Sequence, residues 1–309
     1  MRIVFFGTPD FAVPSFNALI DSGYDVAAIV TQPDRLKGRG HRLSPPPVKE
    51  LAASRGIPVL QPGGIRTSEF REELAAFRPE AVVVVAYGKI IPPPVLKLPP
   101  LGCINVHASL LPKYRGAAPI QWAIISGDTV TGVTTMMIDE GLDTGDILLQ
   151  EETWITEEDN ALTLSGRLSE LGASLLPRTL EGLRNGSLKP VPQSGEPTFS
   201  PPLRKEDGMI DWSLPAQKLL DLIRGTYPWP GAYCFLGGQR LTIVRAKVLD
   251  RRRRGTPGRV ERIGTEEIQV STGRGVLSVF EVKPEGRKSM PAASFMHGRR
   301  ITEGAVFDV

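Results

Sequence analysis

Over its first hundred residues the chain alternates short apolar runs with stretches of helical character, and this alternation limits the possible folds more than any other feature. The apolar runs are RIVFFG, DVAAIVT, IPVLQ, EAVVVVAYG and CINVHA, and the helical stretches are VPSFNALIDSG, PVKELAASRG and SEFREELAAF. Runs that are apolar throughout are typical of strands buried on both faces by helices. The sequence therefore predicts an α/β domain with a doubly wound, mostly parallel sheet.

The remainder of the chain predicts a joint and a second domain. A leucine-spaced helix follows Thr156, and residues 187–205 then contain five prolines in nineteen positions, which is typical of a semi-rigid linker. After one more helix, AQKLLDLIRG, come short strand-like runs that glycine turns separate. We predict a catalytic domain at 1–186, a linker at 187–205 and a small antiparallel, OB-like β-barrel at 206–309.

Bulk composition sets broad limits. Apolar residues make up 41% of the chain and charged residues 23%, as in ordinary globular proteins, and no apolar run approaches the length of a membrane span. Two cysteines far apart suggest a reducing compartment, so we expect the protein in the cytoplasm. We also expect no membrane partner and, as a default, a monomer. Residues 206–309 carry 17 Lys and Arg against 12 Asp and Glu, which indicates either a polyanionic partner or a solvated surface of mixed charge.

The fifth apolar run ends on polar residues that share one face. Cys103, Asn105 and His107 alternate, so their side chains leave the same side of the strand. Cys103 and His107 would lie about 13 Å apart, too far for a cysteine hydrolase, whereas Asn105 and His107 would lie only about 6.6 Å apart. Ligands of such sheets bind beyond the carboxyl ends of the strands. The pair is therefore a candidate binding site, although a histidine bonded to a neighbouring amide in the core is the alternative.

Several familiar sites are absent from the sequence. The first strand leads into GTPDFAVPS rather than a G-x-G-x-x-G dinucleotide fingerprint, and no G-x-x-x-x-G-K-[ST] phosphate loop occurs. The acidic loop from Asp139 to Asp146 does not place its carboxylates at EF-hand positions, and its twelfth residue is Gln150 instead of Glu. We therefore expect no metal, and a dehydrogenase on this sheet would lack its fingerprint.

Four segments together resemble the methionyl-tRNA formyltransferase family, and the resemblance extends from GTPDF to IDWSLPAQKLLDLIRGTYPWPGA. The segments are VTQPDRLKGRGHRLSPPPVK, VVVAYGKIIP, GCINVHASLLPKYRGAAPIQW and MIDEGLDTGDIL. The resemblance implies a Rossmann-like formyltransferase domain that moves a formyl group from 10-formyltetrahydrofolate to the methionine amine of initiator tRNA. It implies that Asn105 and His107 donate to the oxyanion, and that Asp143 orients His107 and raises its pKa.

The same resemblance assigns residues to folate and to tRNA. It implies that Ser109, Leu110, Leu111 and Pro112 lie along the folate, and that Tyr87, Gly88 and Ile90 belong to a segment that offers backbone contacts to the pterin. It implies that the loop of Lys37, Gly38, Arg39, Gly40 and Arg42 enters the acceptor end of the tRNA, where lysine and arginine neutralise phosphate. The run of Arg251, Arg252, Arg253 and Arg254 is either a solvated turn or a further phosphate contact.

Two other functions remain open from the sequence. A sugar-nucleotide formyltransferase that uses formyltetrahydrofolate would share Asn105, His107 and Asp143 but would not need the basic loop at 34–42. A noncatalytic tRNA-binding protein would keep the basic tail without the catalytic residues. Labelled formyl donor, offered with either acceptor, would separate these functions.

Overall fold

A computed structural model describes residues 1–37 and 42–308, and contacts within the chain divide it into two compact units. The first unit comprises Met1–Pro119, Val130–Trp154 and Ser165–Ser200, and the second comprises Ile120–Thr129, Ile155–Leu164 and Pro201–Val309. The units therefore do not follow the chain in simple order. The contiguous bounds at 186 and 205 stay a prediction.

The first unit is built on a seven-stranded sheet with the order β10-β9-β7-β6-β1-β2-β5. Five neighbouring strands, from β5 to β7, are parallel, β9 runs antiparallel to β7, and the edge strand β10 runs antiparallel to β9. The strands are β1 (Arg2–Gly7), β2 (Asp25–Val30), β5 (Val59–Leu60), β6 (Ala81–Val85), β7 (Cys103–His107), β9 (Val130–Met137) and β10 (Ile147–Trp154). The predicted mostly parallel α/β sheet is confirmed.

Side chains of β1 enter two separate layers because successive residues of a strand point to opposite faces. Phe6 packs edge-on against Phe70, with ring centroids 6.3 Å apart, whereas Phe5 stacks on Phe16 at 5.3 Å. Helices therefore cover both faces of the sheet, as its continuous apolar strands require. The helices of this unit are α1 (Val13–Asp21), α2 (Pro47–Ser54), α3 (Ser68–Ala76), α4 (Pro93–Leu96) and most of α6 (Ala161–Asn185), whereas α5 (Pro119–Ser126) belongs almost entirely to the second unit.

Two short strand pairs complete the first unit. An antiparallel hairpin joins β3 (Arg35–Lys37) to β4 (Arg42–Ser44), and a parallel pair joins β8 (Arg115–Gly116) to β11 (Phe199–Ser200). The second pair matters for the site, because it ties the loop after β7 to a segment about eighty residues later in the chain.

The second unit contains a six-stranded antiparallel sheet in which β12, β13, β16, β15 and β14 are neighbours in that order, and β17 pairs with β16. Isolated bridges join Val306 to Arg259 and Asp308 to Phe235, so one C-terminal segment reaches both ends of this sheet. The predicted domain of antiparallel strands is confirmed. Its elements are α7 (Ala216–Gly225), β12 (Ala232–Leu236), β13 (Gln239–Asp250), β14 (Val260–Ile263), β15 (Ile268–Ser271), β16 (Val276–Pro284), β17 (Met290–Pro291) and α8 (Ala292–Gly298).

The core of the second unit explains how one helix is held against this sheet. Trp212 stacks on Phe307 with centroids 5.2 Å apart, and Leu219 and Ile223 of α7 are buried in the same apolar cluster. The predicted helix AQKLLDLIRG is α7 itself. Of the helices in the described ranges, none combines the length and the apolar character needed to cross a bilayer.

Candidate active site

The candidate site lies in the first unit, at the carboxyl end of β7. This strand is paired in parallel with β6 as far as Asn105 and antiparallel with β9 as far as its last residue, His107. Asn105 and His107 leave one face of β7, and the loop that follows returns to them at Tyr114. The two side chains thus stand where a doubly wound sheet places its ligands.

The imidazole of His107 is buried and has a defined partner on each nitrogen. Its Nε2 lies 3.0 Å from the carbonyl oxygen of Tyr114, which can only accept a hydrogen bond. Nε2 therefore carries the hydrogen, and in the neutral ring Nδ1 carries the lone pair. Nδ1 lies 3.7 Å from Oδ2 of Asp143, which brings together the histidine and the acid that the sequence paired.

Asp143 is held in an unusual backbone conformation between β9 and β10. Its φ of 51° lies in the left-handed region that a non-glycine residue rarely adopts. The Gly116 N–H donates to its Oδ2 at 2.8 Å, so this oxygen faces both a backbone donor and the His107 ring. A Cβ on Gly145 would come within 1.9 Å of the Met137 carbonyl oxygen, so the tight return to β10 requires glycine there. Backbone strain of this kind is typical of functional sites.

Burial controls the protonation of His107. The loss of solvent lowers the pKa of His107 below its usual value, while the charge of Asp143 and the Tyr114 carbonyl oppose that effect. The resemblance implied that Asp143 raises this pKa, and its charge does act in that direction. The ring lies inside the protein, however, and the loss of solvent outweighs the effect of Asp143. At neutral pH the ring is therefore a free base with its lone pair on Nδ1.

Asn105 is the half-buried member of the group. Within residues 1–37 and 42–308 its amide has no hydrogen-bond partner, unlike His107 and Asp143. Its N–H groups are therefore available to a bound carbonyl oxygen. In the same described ranges, no group of three His, Cys, Asp or Glu side chains is arranged to hold a metal ion.

Thr134 organises the loop after β7, and the sequence did not single it out. Its buried hydroxyl donates to the Ser109 carbonyl at 2.7 Å and accepts from the Leu111 N–H at 3.1 Å and from Gln150 Nε2 at 2.9 Å. Thr134 lies opposite His107 in the β7–β9 register. A threonine in a strand is unremarkable in sequence, so only the register identifies it.

Comparison with known proteins identifies the family. Residues 1–180 match the family described as Formyl transferase, and residues 202–300 match Formyl transferase, C-terminal domain. The chain is 51% identical to a methionyl-tRNA formyltransferase of Thermodesulfovibrio yellowstonii, over 98% of this chain and 97% of that one. The chain belongs to the methionyl-tRNA formyltransferase family.

Solved structures agree in fold. The methionyl-tRNA formyltransferase from Clostridium thermocellum is 19% identical and superposes with a TM-score of 0.56, covering 80% of this chain and 93% of that one. An N-formyltransferase from Helicobacter canadensis, in complex with folinic acid and dTDP-3-aminofucose, is 16% identical with a TM-score of 0.68, covering 91% and 99%. At such identities these structures support the fold alone, so the sugar-nucleotide alternative rests only on a distant likeness.

The residues that the family resemblance assigned to folate lie in two segments. The Tyr87 side chain is buried against Phe6, where burial raises its pKa to about 12, and its carbonyl accepts from Gln32 Nε2 at 2.9 Å. The next residue, Gly88, adopts a φ of 81°. Ile90 is 70% exposed, so of Tyr87 and Ile90 only Ile90 presents its side chain to a ligand.

The second of these segments, residues 109–112, is partly buried. Ser109 is fully buried, and its hydroxyl donates to the Lys113 carbonyl at 2.6 Å, so its side chain is occupied within the protein. Leu111 is also buried, whereas Leu110 and Pro112 are partly exposed. Leu110 and Pro112 therefore present apolar surface, and their contact with folate stays a prediction.

The residues assigned to tRNA fall in two places. Gly38, Arg39 and Gly40 lie outside the described residues, and Lys37 and Arg42 are the paired ends of the hairpin formed by β3 and β4.

The arginine run follows β13, and all four of its residues are exposed. The Arg251 guanidinium lies 3.5 Å from Glu157 and that of Arg253 lies 3.4 Å from Glu261, whereas the guanidinium groups of Arg252 and Arg254 form no salt bridge within the described ranges. The backbone N–H of Arg252 donates to Asp250.

Proposed function

We propose that this chain transfers the formyl group of 10-formyltetrahydrofolate to the α-amine of methionine on initiator tRNA. The observation that carries the proposal is the convergence of Asn105, His107 and Asp143 at the end of β7, in a chain of this family. The proposal places the enzyme with the translation machinery in the cytoplasm, acting as a monomer.

His107 accepts the proton that the reaction releases. The amine nitrogen bonds to the formyl carbon, the bond from that carbon to N10 of the folate breaks, and one proton moves from the amine to N10. Nδ1 holds the lone pair and Nε2 is occupied by Tyr114, so Nδ1 is the atom that takes the amine proton. Asp143 then faces the imidazolium and stabilises its charge until the proton passes to N10.

Asn105 stabilises the negative charge of the tetrahedral intermediate. Its amide is free to donate at the strand end, and donors set in place before the reaction need no rearrangement as the oxyanion forms. Loss of one such donor typically raises the barrier by about 3 kcal/mol. Protonated His107 adds a second donor through Nδ1 only after the amine has lost its proton, so Asn105 acts first.

The basic elements serve the tRNA in this proposal. The hairpin formed by β3 and β4 presents Leu36 and Leu43 as exposed cross-strand neighbours, and the sequence from 35 to 42 contains Arg35, Lys37, Arg39 and Arg42. Basic residues neutralise phosphates, while apolar side chains can pack against unstacked bases. Such a combination suits a single-stranded acceptor end better than a nucleotide sugar.

The test offers one labelled formyl donor with competing acceptors. Purified protein is incubated with 10-formyltetrahydrofolate that carries a labelled formyl group and with methionyl initiator tRNA, methionyl elongator tRNA or a dTDP-amino sugar. We expect labelled formylmethionine only on the initiator tRNA, with His107→Ala as the inactive control. Label on the sugar and none on tRNA would instead support the sugar-nucleotide reaction.

A further inference from the structure

The proline-rich segment Val191–Ser200, which we call the strap, is bonded to both loops of the candidate site. At its start, Val191 exchanges two backbone hydrogen bonds with Ile147, which closes the Asp143 loop. At its end, the Thr198 hydroxyl accepts from the Tyr114 N–H at 2.8 Å and the Ser200 hydroxyl donates to the Tyr114 carbonyl at 2.9 Å. The sequence predicted this segment only as a linker. Its residues belong to the first compact unit.

One side chain of the strap, Gln193, is hydrogen-bonded directly to the Asp143 loop. Gln193 Nε2 donates to the backbone carbonyls of Asp143 and Gly145, at 2.8 Å each. Its Oε1 accepts from Arg115 Nε at 3.1 Å and from Arg115 Nη2 at 2.7 Å. Both N–H groups and the carbonyl oxygen of the Gln193 amide are therefore hydrogen-bonded. The N–H groups face the Asp143 loop, and the oxygen faces Arg115 in the loop after β7.

These bonds form a closed ring around Asp143. Gln193 holds the backbone of Asp143, Arg115 holds Gln193, and Gly116, the residue after Arg115, donates to the Asp143 carboxylate at 2.8 Å. Both the backbone and the side chain of Asp143 are thus tied to the same two-residue strand, β8. We propose that Gln193 is a positioning residue that acts through Asp143 to hold its carboxylate beside Nδ1 of His107. This inference rests on the proposed function for its role in formyl transfer.

The surroundings of Gln193 favour a dedicated role. Its neighbours Pro192 and Ser194 are exposed, whereas Gln193 itself is turned inward. Prolines at 190 and 192 restrict the backbone on its N-terminal side, so less conformational entropy is lost when this one side chain is fixed. The φ of 51° at Asp143 costs free energy for a non-glycine residue, although aspartate adopts it more readily than most, and the bond from Gln193 to the Asp143 carbonyl helps to hold it.

Two substitutions separate positioning from simple anchoring of the strap. Gln193→Ala removes the hydrogen bonds from this side chain to Arg115, Asp143 and Gly145. Gln193→Glu keeps an acceptor for Arg115 but replaces the donors to Asp143 and Gly145 with a carboxylate oxygen, which two carbonyls would repel. We expect kcat to fall about 10- to 100-fold in both variants, with KM for tRNA and for folate within about twofold of wild type. The exposed neighbour Ser194→Ala is the matched control and should keep full activity.

A double-mutant cycle tests whether Gln193 acts through Asp143. In an Asp143→Asn background, Gln193→Ala should lower kcat by less than about twofold further, because the group it positions is already disabled. Thermal unfolding of every variant shows whether the protein still folds. An unchanged kcat in Gln193→Ala, or full activity in Gln193→Glu, would overturn the proposal.

The second measurement needs no substrate. The chain has three histidines, so the His107 imidazole can be followed by NMR through a pH titration and assigned by its loss in His107→Ala. Tyr114 is held by Thr198 and Ser200, so Gln193→Ala leaves the cover over His107 in place and weakens only the contribution of Asp143. The pKa of His107 should therefore fall. An unchanged or higher pKa contradicts positioning by Gln193, whereas absence of formyl transfer in the wild type would contradict only the proposed function.

Discussion

Nε2 of His107 lies 3.0 Å from the carbonyl oxygen of Tyr114, and this contact decides which nitrogen of the ring can act as a base. A carbonyl accepts but never donates, so the hydrogen stays on Nε2 and the lone pair on Nδ1. Nδ1 is also the nitrogen nearest Asp143. The carbonyl oxygen of Tyr114 therefore makes Nδ1 the basic nitrogen of His107, and Nδ1 is the nitrogen that faces the Asp143 carboxylate.

Removal of either polar residue of β7 should abolish most of the catalysis. We expect His107→Ala and Asn105→Ala each to lower kcat by about 10²-fold or more, because each removes a group that acts on the reacting atoms. Folate binding should change little. Steady-state formylation assays and folate titrations measure both effects, with the exposed histidine variant His297→Ala as control. Near-normal turnover would remove that residue from the mechanism.

The pH profile should report the buried state of His107. The free base is the active form, so kcat/KM rises as pH passes the pKa of His107 and then reaches a plateau. Burial lowers that pKa below the ordinary value of 6.5, so the acid limb should lie below pH 6.5. Asp143→Asn removes an opposing, pKa-raising effect, so its limb should move to still lower pH while its plateau falls about 10²-fold. A limb that does not move in Asp143→Asn would be inconsistent with His107 as the group that titrates there.

Thr134→Val should destabilise the protein as well as the loop after β7. The substitution keeps the shape of the side chain but leaves the buried Ser109 carbonyl and Leu111 N–H without the hydroxyl. Each unsatisfied group costs about 1–3 kcal/mol, so we expect a loss of about 2–4 kcal/mol in urea denaturation. Thr131→Val, on the same strand, is the control, since no side-chain hydrogen bond of Thr131 occurs within the described residues. Equal losses in both variants would argue against the network.

The arginine run offers an internal comparison for tRNA binding. Arg252 and Arg254 are exposed, while Arg251 and Arg253 each lie near a glutamate. If the run contacts phosphate, the log of affinity falls linearly with the log of salt concentration, and each lost contact makes the slope shallower by about one unit. We expect the double variant Arg252→Ser/Arg254→Ser to change the slope more than Arg251→Ser/Arg253→Ser. Slopes equal to wild type in both would leave the run as a solvated turn.

Arg39→Ala should weaken the use of initiator tRNA without changing the affinity for folate. Arg39 lies outside the described residues, so this prediction rests on the basic, glycine-containing sequence of its loop. The variant should raise KM for initiator tRNA while its Kd for folate stays unchanged, as measured by kinetics and by folate titration. Arg55→Ala, at the end of α2, is the control. A parallel loss of folate affinity would make the loop structural.

Much of the fold follows from apolar periodicity. β1, β2, β6 and β7 lie within the predicted apolar runs, and α7 coincides with its predicted segment, because burial on one or both faces leaves a clear pattern. β9 and β10 were not predicted. Their threonines, glycine and glutamates dilute the apolar pattern, and the pairing of β9 with β7 and of β10 with β9 adds them to the sheet.

The candidate site was predictable only in part. Asn105 and His107 share a face by simple alternation, so their proximity follows from the sequence. The contacts of His107 with Tyr114 and of Gln193 with Asp143 depend on how loops return to the sheet, which no periodicity records. The direction of the His107 pKa was also beyond the sequence, because it depends on how completely the fold encloses the ring.

The strap also affects how the first unit folds. The bond from Tyr114 to Thr198 joins residues 84 positions apart, and the bond from Gln193 to Asp143 joins residues 50 positions apart. Contacts of such sequence separation require the closure of long loops, which is slow and entropically costly, whereas helices form locally. A chain in which the strap has not docked would lack the bonds that hold Tyr114 and Asp143 at His107, even with its helices formed. Enzymatic turnover, rather than helical content, is therefore the measurement that reports complete folding of this unit.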